Sequence, residues 1–166
     1  MGTKLAVVAL VAALTPTRAG SALAQSGLAV PDPPLVVLAK RDLRFGTVFP
    51  GVPSSVATNN PRLAGEFQVQ GAAGLTVRVE LLLPSALSSP GGATLPITFV
   101  AGDGSHDFPH GLPHRTLFDP HAPVVAALGP NGKLNVWLGG TVMPALLQTG
   151  GAYAAAISIT IFNLGI

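Results

Sequence analysis

The sequence predicts an all-β protein, an antiparallel β-sandwich preceded by a removable leader. Three observations carry this. Gly and Pro, 20 and 16 of 166 residues, break the chain at short intervals and leave little room for helices. Between the breaks, apolar residues alternate with polar ones at period two. Beyond the leader, no stripe of period 3.6 lasts longer than about two helical turns.

The leader comes first. Lys4 is a basic start, Leu5 to Leu14 form an unbroken apolar run, and Ala22-Leu23-Ala24 supply a small-x-small cleavage pattern before Gln25. That run of ten residues is shorter than the roughly 20 needed to span a bilayer as a helix, so residues 1–24 read as a secretory signal. A cut after Ala19 is an alternative. The expected organisation is a signal at 1–24, an extended arm at 25–34 and one β-sandwich domain at 35–166. No later apolar run reaches membrane length, so no span is expected in the mature chain.

Removing the leader changes the charge argument. Lys4 and Arg18 account for the formal +2, and seven basic and seven acidic side chains remain after residue 24. The cluster Lys40-Arg41-Asp42-Leu43-Arg44 contains an acid and no aromatic platform, so no nucleic-acid partner is expected. Cysteine is absent, which excludes thiol catalysis and Cys-type zinc modules. A chain of this length buries around two-thirds of its unfolded surface and does not need disulfides for a core.

The elements follow in order. Leu35–Lys40 and Asp42–Val48 read as one bent strand or two short ones, with the bend near Lys40 and Arg41. In Gly65–Gly71, Phe67 and Val69 face one way and Glu66, Gln68 and Gln70 the other. After the turn Ala72–Gly74, Leu75, Val77, Val79, Leu81 and Leu83 form one face of the next run, and the two runs read as a hairpin. Ala93–Ala101 is a strand containing Pro96, which lacks a ladder donor, so it is expected at a sheet edge. Ala122–Gly129 is open between strand and short helix, and Gly129–Gly132 is a turn. Leu134, Val136 and Leu138 alternate inward, with Trp137 on the opposite face. The last run sets Ile157, Ile159 and Ile161 against Ser158 and Thr160.

Leu43–Gly46, Gly65–Gly71 leading to Leu75–Pro84, Val136–Val142 and Gly151–Asn163 occur in an order that resembles a bacterial family of exported domains, the domain of unknown function 4402 family. The resemblance covers roughly residues 40 to 164. It implies an immunoglobulin-like β-sandwich of about 7 to 9 strands, exported by Gram-negative bacteria and similar in layout to pilus and spore-coat-U-type subunits. It supplies no catalytic residues. Gly46, Gly71, Gly139 and Gly140 fit turns or bulges where a side chain would clash. Tyr153 is placed to bond a backbone carbonyl as corner tyrosines do in such folds. The ending Ile161-Phe162-Asn163-Leu164-Gly165-Ile166 departs from the family, as does the length and polarity of the histidine-bearing stretch.

No nucleophile elbow, zinc-protease helix, phosphate loop or dinucleotide fingerprint occurs. Glu66 and Glu80 fall on solvent-facing sides of strands, and Ser105 beside His106 and Asp107 is adjacency, not triad geometry. One stretch stands apart. Residues 102–121 hold all four histidines, His106, His110, His114 and His121, with Asp103, Asp107 and Asp119 between them. Zinc or copper takes imidazole readily. Pro109, Gly111 and Pro113, however, remove the helix on which every-fourth-residue spacing would bring ligands together. The reading favoured is a solvated loop between strands.

The function expected is therefore a non-enzymatic exported structural or adhesive domain, a pilus-like or envelope subunit in the periplasm, on the outer surface or outside the cell. It would need no cofactor and would meet like subunits or envelope proteins through sheet edges. The alternative is an exported metal-binding module built on the four histidines.

Overall fold

A computed structural model describes residues 3–5, 8–9, 33–108 and 115–165. Every regular element among them is a strand, and no helix among them is long and apolar enough to cross a membrane. In chain order these are β1 Thr3–Leu5, β2 Val8–Ala9, β3 Val36–Arg41, β4 Gly46–Val48, β5 Ser54–Val56, β6 Gly65–Gln70, β7 Thr76–Leu82, β8 Ala86–Ser88, β9 Thr94–Thr98 and β10 Gly104–Asp107. They continue with β11 Thr116–Phe118, β12 Val124–Ala127, β13 Lys133–Leu138, β14 Gly140–Val142 and β15 Ala156–Gly165. From Val36 onward the sandwich is thus divided into thirteen described segments, more finely than the seven to nine expected, because glycines and prolines interrupt the longer runs.

Three sheets pack as a sandwich. The first has the order β11-β10-β13-β6-β3, the second β12-β7-β15-β2 and the third β5-β14-β9-β8, while β1 pairs with β4 as a two-stranded ribbon. All pairings are antiparallel except β2 on β15. The chain passes from the first sheet to the third through Gly139, whose added Cβ would run into the Val56 carbonyl oxygen. Only a glycine lets the two backbones approach so closely there.

Alternation identifies the core. Val69, Val77, Leu134, Val136 and Leu138 are fully buried, and Phe67, Val79, Ile157 and Ile159 nearly so. Each such side chain contributes about 1.5–3 kcal/mol on leaving water, which is why the period-two faces turn inward. Tyr153 is buried at the start of the last run, and its hydroxyl donates to the Thr149 carbonyl at 2.6 Å, as expected of a corner tyrosine. The bend expected near Lys40 and Arg41 is a register shift of β3 on β6 between Ala39 and Arg41. The open segment 122–129 contains strand β12, paired with β7.

Three expectations are corrected. First, β6 and β7 do not form a hairpin: β6 pairs with β3 and β13, and β7 with β12 and β15. The turn at Ala72–Gly74 is a corner between sheets, held by Gly74 N–H on the Leu128 carbonyl at 3.2 Å and Leu75 N–H on that of Ala72 at 3.2 Å. Both apolar faces look into one core, but from opposite sides. Secondly, β9 with Pro96 is an interior strand between β14 and β8. Its pairing with β14 covers only Thr98 and Ile97, so the missing N–H falls just past the ladder's end, where the Pro96 carbonyl still accepts the Met143 N–H at 3.0 Å. Thirdly, a Cβ on Gly46 would meet nothing within 4 Å; the requirement there is its φ of 67°, not space.

Of the expected signal at 1–24, the described residues are those of β1 and β2; the remainder, and residues 25–32 of the arm, lie outside the described residues.

Candidate functional site

The histidine-bearing stretch is not irregular throughout. Gly104–Asp107 is strand β10, paired with β13 on one side and β11 on the other. A strand sends successive side chains to opposite faces, so His106 and Asp107 part company.

Asp107 goes to the outer face of the first sheet. Its register partner there is Asn135, whose own partner is Gln68. The carboxylate accepts from Asn135 Nδ2 at 3.0 Å, Trp137 Nε1 at 3.2 Å and Arg115 Nε at 3.2 Å. The amide ladder continues from Gln68 Nε2 to Asn135 Oδ1 at 3.0 Å, and from Gln70 Nε2 to Gln68 Oε1 at 2.7 Å.

Trp137 lies between two arginines on this face. The Arg115 guanidinium sits 4.0 Å from the centroid of its ring system and that of Arg41 5.6 Å, within the range where a cation is attracted to the ring face. Arg41 also pairs with Glu66 at 3.2 Å, and Arg115 donates to the Thr58 carbonyl, tying the segment after β5 to this face. Trp137 is therefore only 9% exposed although it faces away from the core. Beside it in register, Ser105 is fully buried, and its Oγ has no hydrogen-bond partner among the described residues.

Chemically this cluster is an ionic and amide network in which the Asp107 carboxylate is fully engaged, while Arg41 Nη1 and Ser105 Oγ are buried without a hydrogen-bond partner among the described residues. Among the described residues, Ser105 has no imidazole on its own side of the sheet, because His106 points the other way. Glu66 and Glu80 are each paired with an arginine, Glu80 with Arg78 at 3.0 Å; Glu80 stays partly exposed as expected, whereas Glu66 keeps only 13% of its side chain in contact with solvent because the Trp137 cluster covers it. Arg78 in turn lies over the Phe162 ring at 4.3 Å, half-burying it.

His106, on the inner side, has its ring 6.2 Å from that of Phe118. Burial lowers its pKa from the ordinary 6.5, with the Asp107 charge opposing weakly. Partial removal from water disfavours the imidazolium. His121 is elsewhere: its Nε2 is 3.1 Å from the Phe99 carbonyl. A carbonyl only accepts, so Nε2 carries the proton and donates. His121 lines a cleft of about 200 Å³ with Leu83, Pro84, Ser85, Ile97, Thr98 and Phe99, a mostly apolar wall with no second ionisable group among the described residues.

His110 and His114 lie outside the described residues. Among the described residues, no three His, Asp or Glu side chains come together in a way that could hold a metal ion. Asp119 is engaged with the His121 backbone N–H at 2.9 Å.

Sequence reasoning named Asp107 and Trp137 but missed Arg41, Arg115, Asn135 and Gln68 as their companions. The signal was present in the shared polar face of Glu66, Gln68 and Gln70 and the matching face of Asn135 and Trp137. Reading it required knowing that β6 and β13 are neighbours.

In comparisons with known proteins, no family model matches the chain and no curated protein matches it.

Proposed function

We propose that this protein is a non-enzymatic exported structural or adhesive domain, a pilus-like or envelope-surface subunit of a Gram-negative bacterium that meets like subunits or envelope proteins through its sheet edges. One observation carries the reading. The edges of β4 and β15 both accept strands from the first nine residues, β1 on Gly46–Val48 and β2 on Ala156–Ile157. Those residues belong to the segment that the sequence marks for removal. Its loss would leave two strand edges with unpaired N–H and C=O groups, the surface on which strand addition works. The polar cluster around Trp137 supports a structural role, since the Asp107 carboxylate at its centre is engaged by Asn135, Trp137 and Arg115.

The test is to prepare the chain beginning at Gln25 and follow its assembly by size-exclusion chromatography and negative-stain imaging. Concentration-dependent association, suppressed by a synthetic peptide of residues 1–10, is expected. A strict monomer at high concentration would overturn the reading, as would association that the peptide leaves untouched.

A further inference from the structure

Two β-turns meet at one end of the third sheet. The first, Phe49–Val52, is closed by Val52 N–H on the Phe49 carbonyl at 3.1 Å, with Pro50 and Gly51 at its centre and Gly51 at φ 73°. The second, Ala145–Gln148, is closed by Gln148 N–H on the Ala145 carbonyl at 3.0 Å, and its two central residues are Leu146 and Leu147. Turn centres ordinarily carry Gly, Pro, Asn, Asp or Ser. Here two leucines occupy them, 82% and 95% exposed. Phe49 at 63%, Val52 at 55% and Met143 at 46% flank them on the same pair of segments.

The turns are fastened to each other and to the core. Gly51 N–H reaches the carbonyls of Pro144 and Ala145, both at 3.1 Å. The Leu146 side chain lies so close over Gly51 that an added Cβ would stand 2.6 Å from its Cδ2. Gln148 locks the second turn: its Oε1 accepts the Ala145 N–H at 3.3 Å, and its Nε2 donates to the Thr94 carbonyl at 3.0 Å and the buried Tyr153 hydroxyl at 2.7 Å. The apolar tip is thus held in place before it meets anything, with the N–H groups of Gly51, Val52, Ala145 and Gln148 already bonded inside the protein.

We propose that these paired turns dock the protein onto the surface of a lipid bilayer, with Phe49, Leu146 and Leu147 entering the boundary between headgroups and acyl chains. Three features select lipid as the occupant. No Asp, Glu, Lys, Arg or His occurs from Phe45 to Pro61 or from Leu134 to Ile166, so neither turn carries a charge of its own into the apolar layer. Four of the turns' backbone donors, those of Gly51, Val52, Ala145 and Gln148, are satisfied internally, which lowers the cost of approach to apolar surroundings. Five apolar side chains on and beside the two turns fall far short of the roughly 20–30 residues per side of a stable protein interface, which argues against a second copy. With no basic residue on these turns, attraction to the bilayer depends on apolar area and not on anionic lipid or ionic strength.

The chain has no cysteine, so single cysteines can report on local surroundings. An environment-sensitive fluorophore is placed at Leu147→Cys in the full chain and, separately, at Val125→Cys, an equally apolar position, 58% exposed on strand β12. On addition of phosphatidylcholine vesicles the Leu147 label is expected to shift to the blue and brighten several-fold, equally at low and high salt, and to be quenched by acyl-chain spin labels. The Val125 label is expected to stay unchanged. Because the leader strand β1 pairs with β4 next to Phe49, the two labels are also compared in the chain beginning at Gln25, where the Leu147 shift is expected to persist; its loss there assigns the signal to the leader and overturns the proposal. Phe49→Ser with Leu146→Ser is expected to reduce the Leu147 signal at least threefold. The proposal is overturned by no shift at Leu147, by an equal shift at Val125, by a signal that survives the double substitution, or by a shift that grows with protein concentration without lipid, which would assign the tip to a second copy.

Discussion

Trp137 and Asp107, 30 positions apart in the chain, are joined by a hydrogen bond of 3.2 Å from the indole Nε1 to a carboxylate oxygen that also accepts Arg115. The pairing of β10 with β13 brings them together, and two guanidinium groups hold the indole between them.

Removing the carboxylate leaves three partly buried donors without their acceptor. Asp107→Ala is therefore expected to lower the unfolding free energy by about 2–3 kcal/mol. Glu80→Ala, which breaks a pair whose side chains are 38% and 41% exposed, is expected to cost less than about 1 kcal/mol. Urea unfolding of both variants checks the contrast, and equal losses would deny Asp107 its central place.

Tyr153→Phe deletes only a hydroxyl, but that oxygen donates to Thr149 and accepts from Gln148. A loss of about 1–2 kcal/mol is expected from the bonds left unmade in a buried setting. Proton exchange at the Gln148 backbone amide should accelerate in the same variant, measured by NMR.

Gly139→Ala places a methyl group against the Val56 carbonyl, a backbone atom that cannot swing aside. Destabilisation of at least about 2 kcal/mol is expected, in the upper range for single substitutions. A melting temperature within a degree or two of the parent would contradict the close approach of the two backbones.

Acid should weaken the fold through His106. Burial favours its neutral form, so its folded pKa lies below the ordinary 6.5, and the unfolded chain binds the proton more readily. The stabilising contribution is complete above pH 6.5 and is lost as pH falls through the lowered folded value. Denaturation midpoints measured between pH 7.5 and 5 should fall with acid, and His106→Asn should flatten that dependence. A His106→Asn profile as steep as the parent's would assign the acid sensitivity to other groups.

Much of the fold was legible because alternation is a local property. Phe67 with Val69, Leu134 with Val136 and Leu138, and Ile157 with Ile159 each declare which side is buried, whatever strand lies next to them. The partner is not declared. Phe67 and Val77 satisfy the same burial requirement from opposite sheets, so a corner at Ala72–Gly74 and a hairpin look alike in sequence. Pro96 misled for a related reason: its missing donor matters only if a neighbouring strand extends far enough to need it. The polar face around Trp137 was half legible. Its residues are marked by their place opposite the core, but their mutual bonds arise from register between segments far apart in the chain, and Arg115 arrives from outside any strand. The histidines were conspicuous by count, and the strand at Gly104–Asp107 separates His106 from the acid beside it.

The corner at Ala72–Gly74 also bears on how the chain must be made. Because β6 and β7 part there, β7 waits for β12 and β15, and β6 for β13, each supplied by the last third or so of the sequence. Loops of this length must close before pairing repays them, which places folding among the slower, millisecond-to-second topologies. A chain emerging from its N-terminus has no partner for β7 until residue 124 has been added, and the sheet is filled only when β15 follows. Until those residues emerge, Val77 and Val79 lack the strands that flank them, although β3 on β6 and β8 on β9 can already pair.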